Sequence, residues 1–404
     1  MAGTAAGQLV AAAAAPVLSR LYSPSDFGVF SVVSALAITL GTVTALRYES
    51  AIPLPSTDED ARSLVVVGMI ICLVSALLLG LAVWLFSPWV AEMLDEPRLK
   101  PWLITVPLIA ALFGLFRLLN QWALRAQRYA ATARRNVLQS VVTVVVQIVV
   151  GWRAPGAGGL VSGLAVGQGL GAASLLSGAS LRGKVARESL GTNLVRYRRF
   201  PLTLAPAGLI NAAGVYVPLL MVAALYGTDA AGWLGFTQRI LALPMMLIGQ
   251  SVAQVYLSEL AKTHRDGTSG EAALFWSATK KLSILGALGA AVFLCAGPGL
   301  FALVFGGAWR TSGSMAQALS ISLAAQLVAS SLSQTLVVFE RTGLQLAWDI
   351  TRLATVVGTI ALCSAQGASL LTCIWALSVA SALTYALSWE LSRRAVNSRC
   401  RLQA

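Results

Sequence analysis

Leu18-Ser19-Arg20-Leu21-Tyr22-Ser23-Pro24-Ser25-Asp26-Phe27-Gly28-Val29-Phe30 decides how the rest of this chain is read. An apolar run precedes it and another follows, and the second closes on Arg47-Tyr48-Glu49-Ser50-Ala51-Ile52-Pro53-Leu54-Pro55. The first motif reads as a tight polar turn. Pro24 and Gly28 break the helix on either side of Asp26, and Phe27 and Phe30 are placed to sit at a membrane interface. The second motif ends a helix with an arginine, a tyrosine and a glutamate beside two prolines. Asp58-Glu59-Asp60-Ala61 then opens the next hydrophobic run. Two apolar helices joined and closed by short polar motifs make a membrane hairpin.

Composition extends that reading to the whole chain. Of 404 residues, 57% are hydrophobic and 11% charged, more apolar surface than a soluble protein can bury. Apolar runs of about 20 residues recur throughout and leave no room for an ordinary soluble domain. The net charge of +13 fits Lys and Arg gathered in the cytoplasmic loops of a membrane protein. Nucleic acid is not an expected partner, because no basic and aromatic module is present. The cysteines, Cys72, Cys295, Cys363, Cys373 and Cys400, form no Cys-x-x-Cys pair, so neither a disulfide framework nor a zinc site is indicated. His264 is the single histidine and falls in a charged loop, which excludes an intramembrane histidine base. No P-loop and no Asp-rich cluster appears, so no cofactor and no metal is expected and the chain does not read as an enzyme.

Twelve apolar segments follow in order. The first six are residues 3–18, 28–46, 63–86, 101–124, 137–150 and 160–181. The second six are 202–226, 232–257, 282–304, 314–339, 344–363 and 369–391. The fifth is short and contains Gln147. Every second connection is basic. Arg125, Arg128, Arg134 and Arg135 follow the fourth segment. Arg182, Lys184, Arg187, Arg196, Arg198 and Arg199 lie between the sixth and seventh. Lys262, Arg265, Lys280 and Lys281 follow the eighth, and Arg393, Arg394, Arg399 and Arg401 end the chain. With this set facing the cytoplasm, both termini are cytoplasmic. The polar sixth-to-seventh connection is the expected boundary between halves, 1–190 and 191–404. Two internal echoes support that division. Tyr22 and Gly28 recur as Tyr226 and Gly232, 204 residues later. Gln121, Arg128, Asn136 and Val137 recur as Gln334, Arg341, Asp349 and Ile350, 213 residues later. Such echoes fit two six-helix bundles around a central cavity, related by an axis along the membrane normal.

The succession from Leu18 to about Arg62 resembles the first hairpin of the bacterial polysaccharide flippases, the Wzx-like branch of the superfamily that also holds the multidrug MATE exporters. The resemblance implies an all-α integral membrane protein of MATE-like architecture in the bacterial cytoplasmic (inner) membrane. It implies a flippase that carries an oligosaccharide on a polyprenyl diphosphate from the inner to the outer face by alternating access. The glycan would be an O-antigen, capsule or exopolysaccharide unit. Implied partners are that lipid-linked glycan, the bilayer, and the polymerase and other proteins of the glycan pathway. Relatives usually carry extra residues before the first helix, so a shortened start is expected. The alternative is another exporter of the superfamily, a lipid II flippase or a MATE-type drug or ion antiporter. A cationic interior disfavours cationic drugs.

The candidate cavity residues are charged or amide side chains inside the spans, where an unpaired arginine costs several kcal/mol. Arg239 comes first. On a continuous helix Gln250 lies about 20° and Gln254 about 60° around from it, so the three share a face. An arginine, a proline and two glutamines in this order also resemble the eighth helix of the flippases. A polar seam between packed helices is the competing reading. Arg117 and Gln121 share a face of the fourth segment, with snorkelling to the interface as the competing reading. Asp349 and Arg352 are three residues apart and can pair within one helix. Arg47 and Glu49 read as an interfacial ion pair with a topogenic role.

Overall fold

A computed structural model describes residues 2–93, 97–178, 187–244, 249–266, 270–339 and 341–403. The described residues are helical, with no strand among them. In order, the helices are α1 (Ala2–Leu21), α2 (Pro24–Gly41), α3 (Asp58–Met93), the short α4 (Lys100–Leu103), α5 (Val106–Arg125), α6 (Tyr129–Arg153) and α7 (Gly158–Gly178). Then come α8 (Arg187–Arg196), α9 (Ala205–Tyr226), α10 (Thr228–Pro244), α11 (Gln250–Asp266), α12 (Glu271–Phe305) and α13 (Arg310–Leu332). The last are α14 (Gln334–Val338), α15 (Thr342–Ala365) and α16 (Leu370–Gln403). Among the described residues, ten stretches of helix are long and apolar enough to cross a membrane. The apolar part of α1, Ala5–Leu21, is shorter. The expected eighth segment is described as α10 and α11, with 245–248 outside the described residues. This is an all-α, multi-pass membrane protein.

Several helices run beyond the expected apolar segments. α6 begins at Tyr129, so Arg134 and Arg135 lie inside a helix rather than in a loop. α12 takes in Lys280 and Lys281, and α16 takes in the basic residues to Arg401. A polar stretch continues a helix readily once the apolar part has nucleated it. Arg182 and Lys184 lie outside the described residues.

The polar turn after Tyr22 is a helix start. Ser23 caps α2: its Oγ accepts from the Asp26 amide at 3.2 Å, and Asp26 Oδ2 accepts from the Ser23 amide at 3.0 Å. Pro24 sits at the first helical position, where its missing N–H is no loss. Gly28 therefore does not break the helix. It lies in the second turn of α2, where a Cβ would drive into the Thr228 carbonyl; a Cβ at Gly232 would meet the Pro24 carbonyl. Phe27 is buried, edge-on to Tyr22 and Phe30. Arg125 closes the turn before α3. Its guanidinium donates to the carbonyls of Ile52, Pro53, Pro55 and Thr57 at 2.8–3.3 Å and pairs with Asp58 at 3.0 Å. Gln147 of α6 is fully buried, with its Nε2 donating to the Leu160 carbonyl at 3.1 Å.

Both sequence echoes have matching backbone geometry. Phe27 N donates to Ser23 O at 3.1 Å, and Ala231 N to Gly227 O at 3.2 Å. Arg128 (φ −84°, ψ 50°) and Arg341 (φ −92°, ψ 45°) precede α6 and α15, and their amides donate back to Ala123 O and Leu336 O. By packing, the chain divides into two units, Met1–Gly232 and Trp233–Ala404. In the first, α5 packs against α2, α3 and α7, α6 against α1 and α7, and α9 against α2. In the second, α13 packs against α12 and α16, and α15 against α16. The division at 190/191 concerns the internal repeat, and it stands as a proposal beside this packing division.

Candidate functional site

In the first unit the site grows from a strained turn. Leu46 and Arg47 have φ of 46° and 62°, a left-handed conformation that side chains other than glycine disfavour. This reversal follows α2 and leads into the turn Tyr48–Ala51. Tyr48 Oη donates to the Leu194 carbonyl at 3.1 Å. Arg47 Nη1 lies 3.5 Å from Glu49 Oε1, and its Nε donates to the Leu204 carbonyl at 3.4 Å. Gly208 of α9 makes room for this guanidinium, because a Cβ there would fall 2.6 Å from Nη2.

The expected Arg47–Glu49 ion pair is therefore present, with its acid buried inside the protein. The Glu49 side chain is 6% exposed, and its second oxygen is buried with no hydrogen-bond partner. Burial pushes its carboxyl up from the ordinary value, against the opposing pull of its own backbone amide, Arg47 and Arg117. Arg117 of α5 lies within electrostatic reach of Arg47, Glu49 and Tyr216 of α9. Gln121 is one turn further along α5 and half-buried. The cluster holds two cations, one carboxylate and one phenol, so it carries a cationic excess. Sequence reasoning found Arg117 and the Arg47–Glu49 pair, but not the burial of Glu49 beside Arg117. It left out Tyr216, which carries no signal in an apolar helix.

Arg135 is a second finding in this unit. Counted from the sequence as a loop charge, it is 4% exposed and lies over the Phe116 ring at 4.2 Å. Nη2 donates to Asn136 Oδ1 at 2.8 Å, while Nε and Nη1 are buried without a partner.

In the second unit, Arg239 lies on α10, half-buried by surface area. It has no hydrogen bond or ion pair among the described residues. It stands 11 residues into its helix, about 16 Å from the start at 1.5 Å per residue. Thr237 Oγ1 donates to the Ser312 carbonyl at 2.9 Å and Trp233 Nε1 to the Ala308 carbonyl at 3.1 Å, which fixes α10 against the start of α13. Gln254 is exposed on α11, and the Gln250 side chain lies outside what is described. The shared face expected for Arg239, Gln250 and Gln254 needs an unbroken helix through 245–248, which are outside the described residues, so it stays an expectation. The expected Asp349–Arg352 pair is absent among the described residues. Arg352 instead lies over the Trp348 ring at 5.2 Å, with Nη1 3.5 Å from Tyr385 Oη and Nε buried without a partner. The aromatic side chains of the α15–α16 contact capture the guanidinium.

A family model described as polysaccharide biosynthesis protein matches residues 17–314. No curated protein matches. Among solved structures, the lipid II flippase MurJ in an inward closed conformation is similar with a TM-score of 0.73 at 12% identity, over 96% of this chain and 85% of that one. An inward-facing multidrug resistance MATE family transporter of the MOP superfamily gives 0.64 at 13% identity, over 100% and 96%. A MOP superfamily transporter from Pyrococcus furiosus gives 0.60 at 14%, over 98% and 94%. At these identities the likeness is one of fold.

Proposed function

This chain belongs to the polysaccharide biosynthesis protein family, and on that premise we propose that it is a flippase for an oligosaccharide carried on a polyprenyl diphosphate. It works by alternating access in the bacterial cytoplasmic membrane, with both termini cytoplasmic. The observation that carries this reading is the set of span arginines without a carboxylate partner. Arg239 and Arg352 form no ion pair among the described residues, although each lies within a membrane-crossing helix or the expected eighth segment. A cation in low dielectric needs a counter-charge. A diphosphate or acidic sugar supplies one, and a guanidinium fork binds phosphate in two-pronged fashion.

Arg117, Gln121, Arg239, Gln250, Gln254, Asp349 and Arg352 are the proposed substrate-facing residues, and Arg47, beside Arg117, joins them in this reading. Bond-making chemistry has no place in this reading. The polymerase and other proteins of the glycan pathway are proposed neighbours. A lipid II flippase is the second reading, favoured by the MurJ likeness. The cationic groups disfavour a MATE-type exporter of cationic drugs.

The test is deletion of the gene. Lipid-linked oligosaccharide should then accumulate on the inner leaflet while its synthesis continues. Arrest of its assembly would replace this reading with an enzyme, and arrest of peptidoglycan with unaffected glycan export would favour lipid II.

A further inference from the structure

The segment from α8 to Arg199 carries a surface that the transport reading does not use. α8 is held at the mouth of a membrane-crossing helix. Asn193 is buried, and its Nδ2 donates to Asp60 Oδ1 at 3.1 Å and to Ser63 Oγ at 2.7 Å, both in the first turns of α3. The Leu194 carbonyl accepts from Tyr48 Oη at 3.1 Å, and Tyr197 is buried in the same core as Tyr48 and Leu64. Because α3 is a membrane span beginning at Asp58, these bonds place α8 at the level where that span meets water.

Much of the rest of the segment is uncovered. Leu194 and Val195 are 42% and 58% exposed, and Arg196, Arg198 and Arg199 are exposed beside them. Arg196 lies 5.5 Å from the Tyr197 ring centroid and within electrostatic reach of Asp60. Arg198 and Arg199 have no ion pair among the described residues. Two bare aliphatic side chains at the end of α8, followed by three arginines and fixed at the membrane boundary, combine apolar and cationic groups as an interfacial segment does. The aliphatic pair fits the acyl boundary, and the guanidinium groups fit the phosphates just above it.

We propose that the 190–199 segment is a binding surface for anionic phospholipid headgroups of the host bilayer. Arg196, Arg198 and Arg199 contact the phosphates, and Leu194 and Val195 enter the acyl boundary. The segment is bonded directly to Tyr48, so a bound headgroup braces the turn that carries Arg47 and Glu49. The surface stands whether or not the substrate is a lipid-linked glycan, because its evidence is separate from the span arginines.

The test uses the full chain in detergent and counts retained lipid by native mass spectrometry. Phosphatidylglycerol is the probe and phosphatidylcholine the control. The wild type should retain phosphatidylglycerol preferentially, and raised salt should remove that preference. The triple variant Arg196→Gln, Arg198→Gln, Arg199→Gln should bind it more weakly, by about fivefold per arginine and roughly a hundredfold together. The triple lysine variant keeps the charge and should keep the preference, which separates lost binding from lost fold. Equal retention by the glutamine variant overturns the proposal. So does equal retention of both phospholipids by the wild type, or loss of binding in the lysine variant. Retention of a polyprenyl phosphate but not of phosphatidylglycerol overturns the choice of the host bilayer as the source.

Discussion

Glu49→Gln separates two accounts of the Arg47–Glu49 contact. By distance the pair is strong: at 3.5 Å, Coulomb attraction is about 5 kcal/mol at an effective dielectric of about 20. If that attraction dominated, removing one partner of so buried a pair would cost about 3–5 kcal/mol. The carboxyl reports the opposite balance. Burial raises its pKa even though its own backbone amide, Arg47 and Arg117 all pull it down. Desolvation therefore outweighs the attraction, and the folded chain holds this proton more tightly than the unfolded chain does. Glutamine imitates the protonated form. Below the ordinary value of about 4.5, Glu49 is protonated in both folded and unfolded chains, and variant and wild type should match. As pH rises from there to the higher folded value, the unfolded chain loses its proton first. The wild type then loses stability across that window, and the variant has no such slope. At neutral pH Glu49→Gln should be as stable as the wild type or more so. The assay is thermal unfolding in detergent at one scan rate across a pH series, since membrane proteins rarely unfold reversibly. A loss of about 3 kcal/mol or more at neutral pH would show that the ion pair dominates and sink the reasoning.

Arg239→Ala should abolish or strongly reduce glycan export while the protein still inserts and accumulates, and Arg239→Lys should keep part of it by retaining charge without the fork. Export normalised to membrane protein level checks this; lower abundance with unchanged export per molecule would make the arginine structural. Gly232→Ala should lower thermal stability by about 1–3 kcal/mol through overpacking against the Pro24 carbonyl, whereas alanine at the open Gly289 should leave the melting temperature near the wild-type value. Cysteines introduced across 182–199 should react with impermeant reagents only from the cytoplasmic side, and labelling from outside whole cells would reverse the orientation.

The amino-acid order carried the class and the helices. Runs of about 20 apolar residues can be satisfied in lipid only as helices, so the helical class and the approximate course of the spans follow from hydropathy. The echoes at 204 and 213 residues were also legible, because a turn of given geometry needs the same residue types each time it recurs. The limits of this reading lay where a residue's neighbours come from far along the chain. Gly28 read as a breaker because glycine weakens a helix locally, and only the approach of Thr228 gives it a packing role. Arg135 read as a loop charge because its segment is polar; its burial under Phe116 depends on how α5 and α6 meet. Arg352 was matched to the nearest acid in sequence, but Trp348 and the Tyr385 of another helix hold it. Glu49 joined Arg117 and Tyr216 only through the left-handed turn at Leu46 and Arg47. Hydropathy and periodicity are sums over near neighbours, and they determined the membrane class and the course of the helices. The state of each buried charge depends on which groups approach it across helix contacts, and only the tertiary structure decided that.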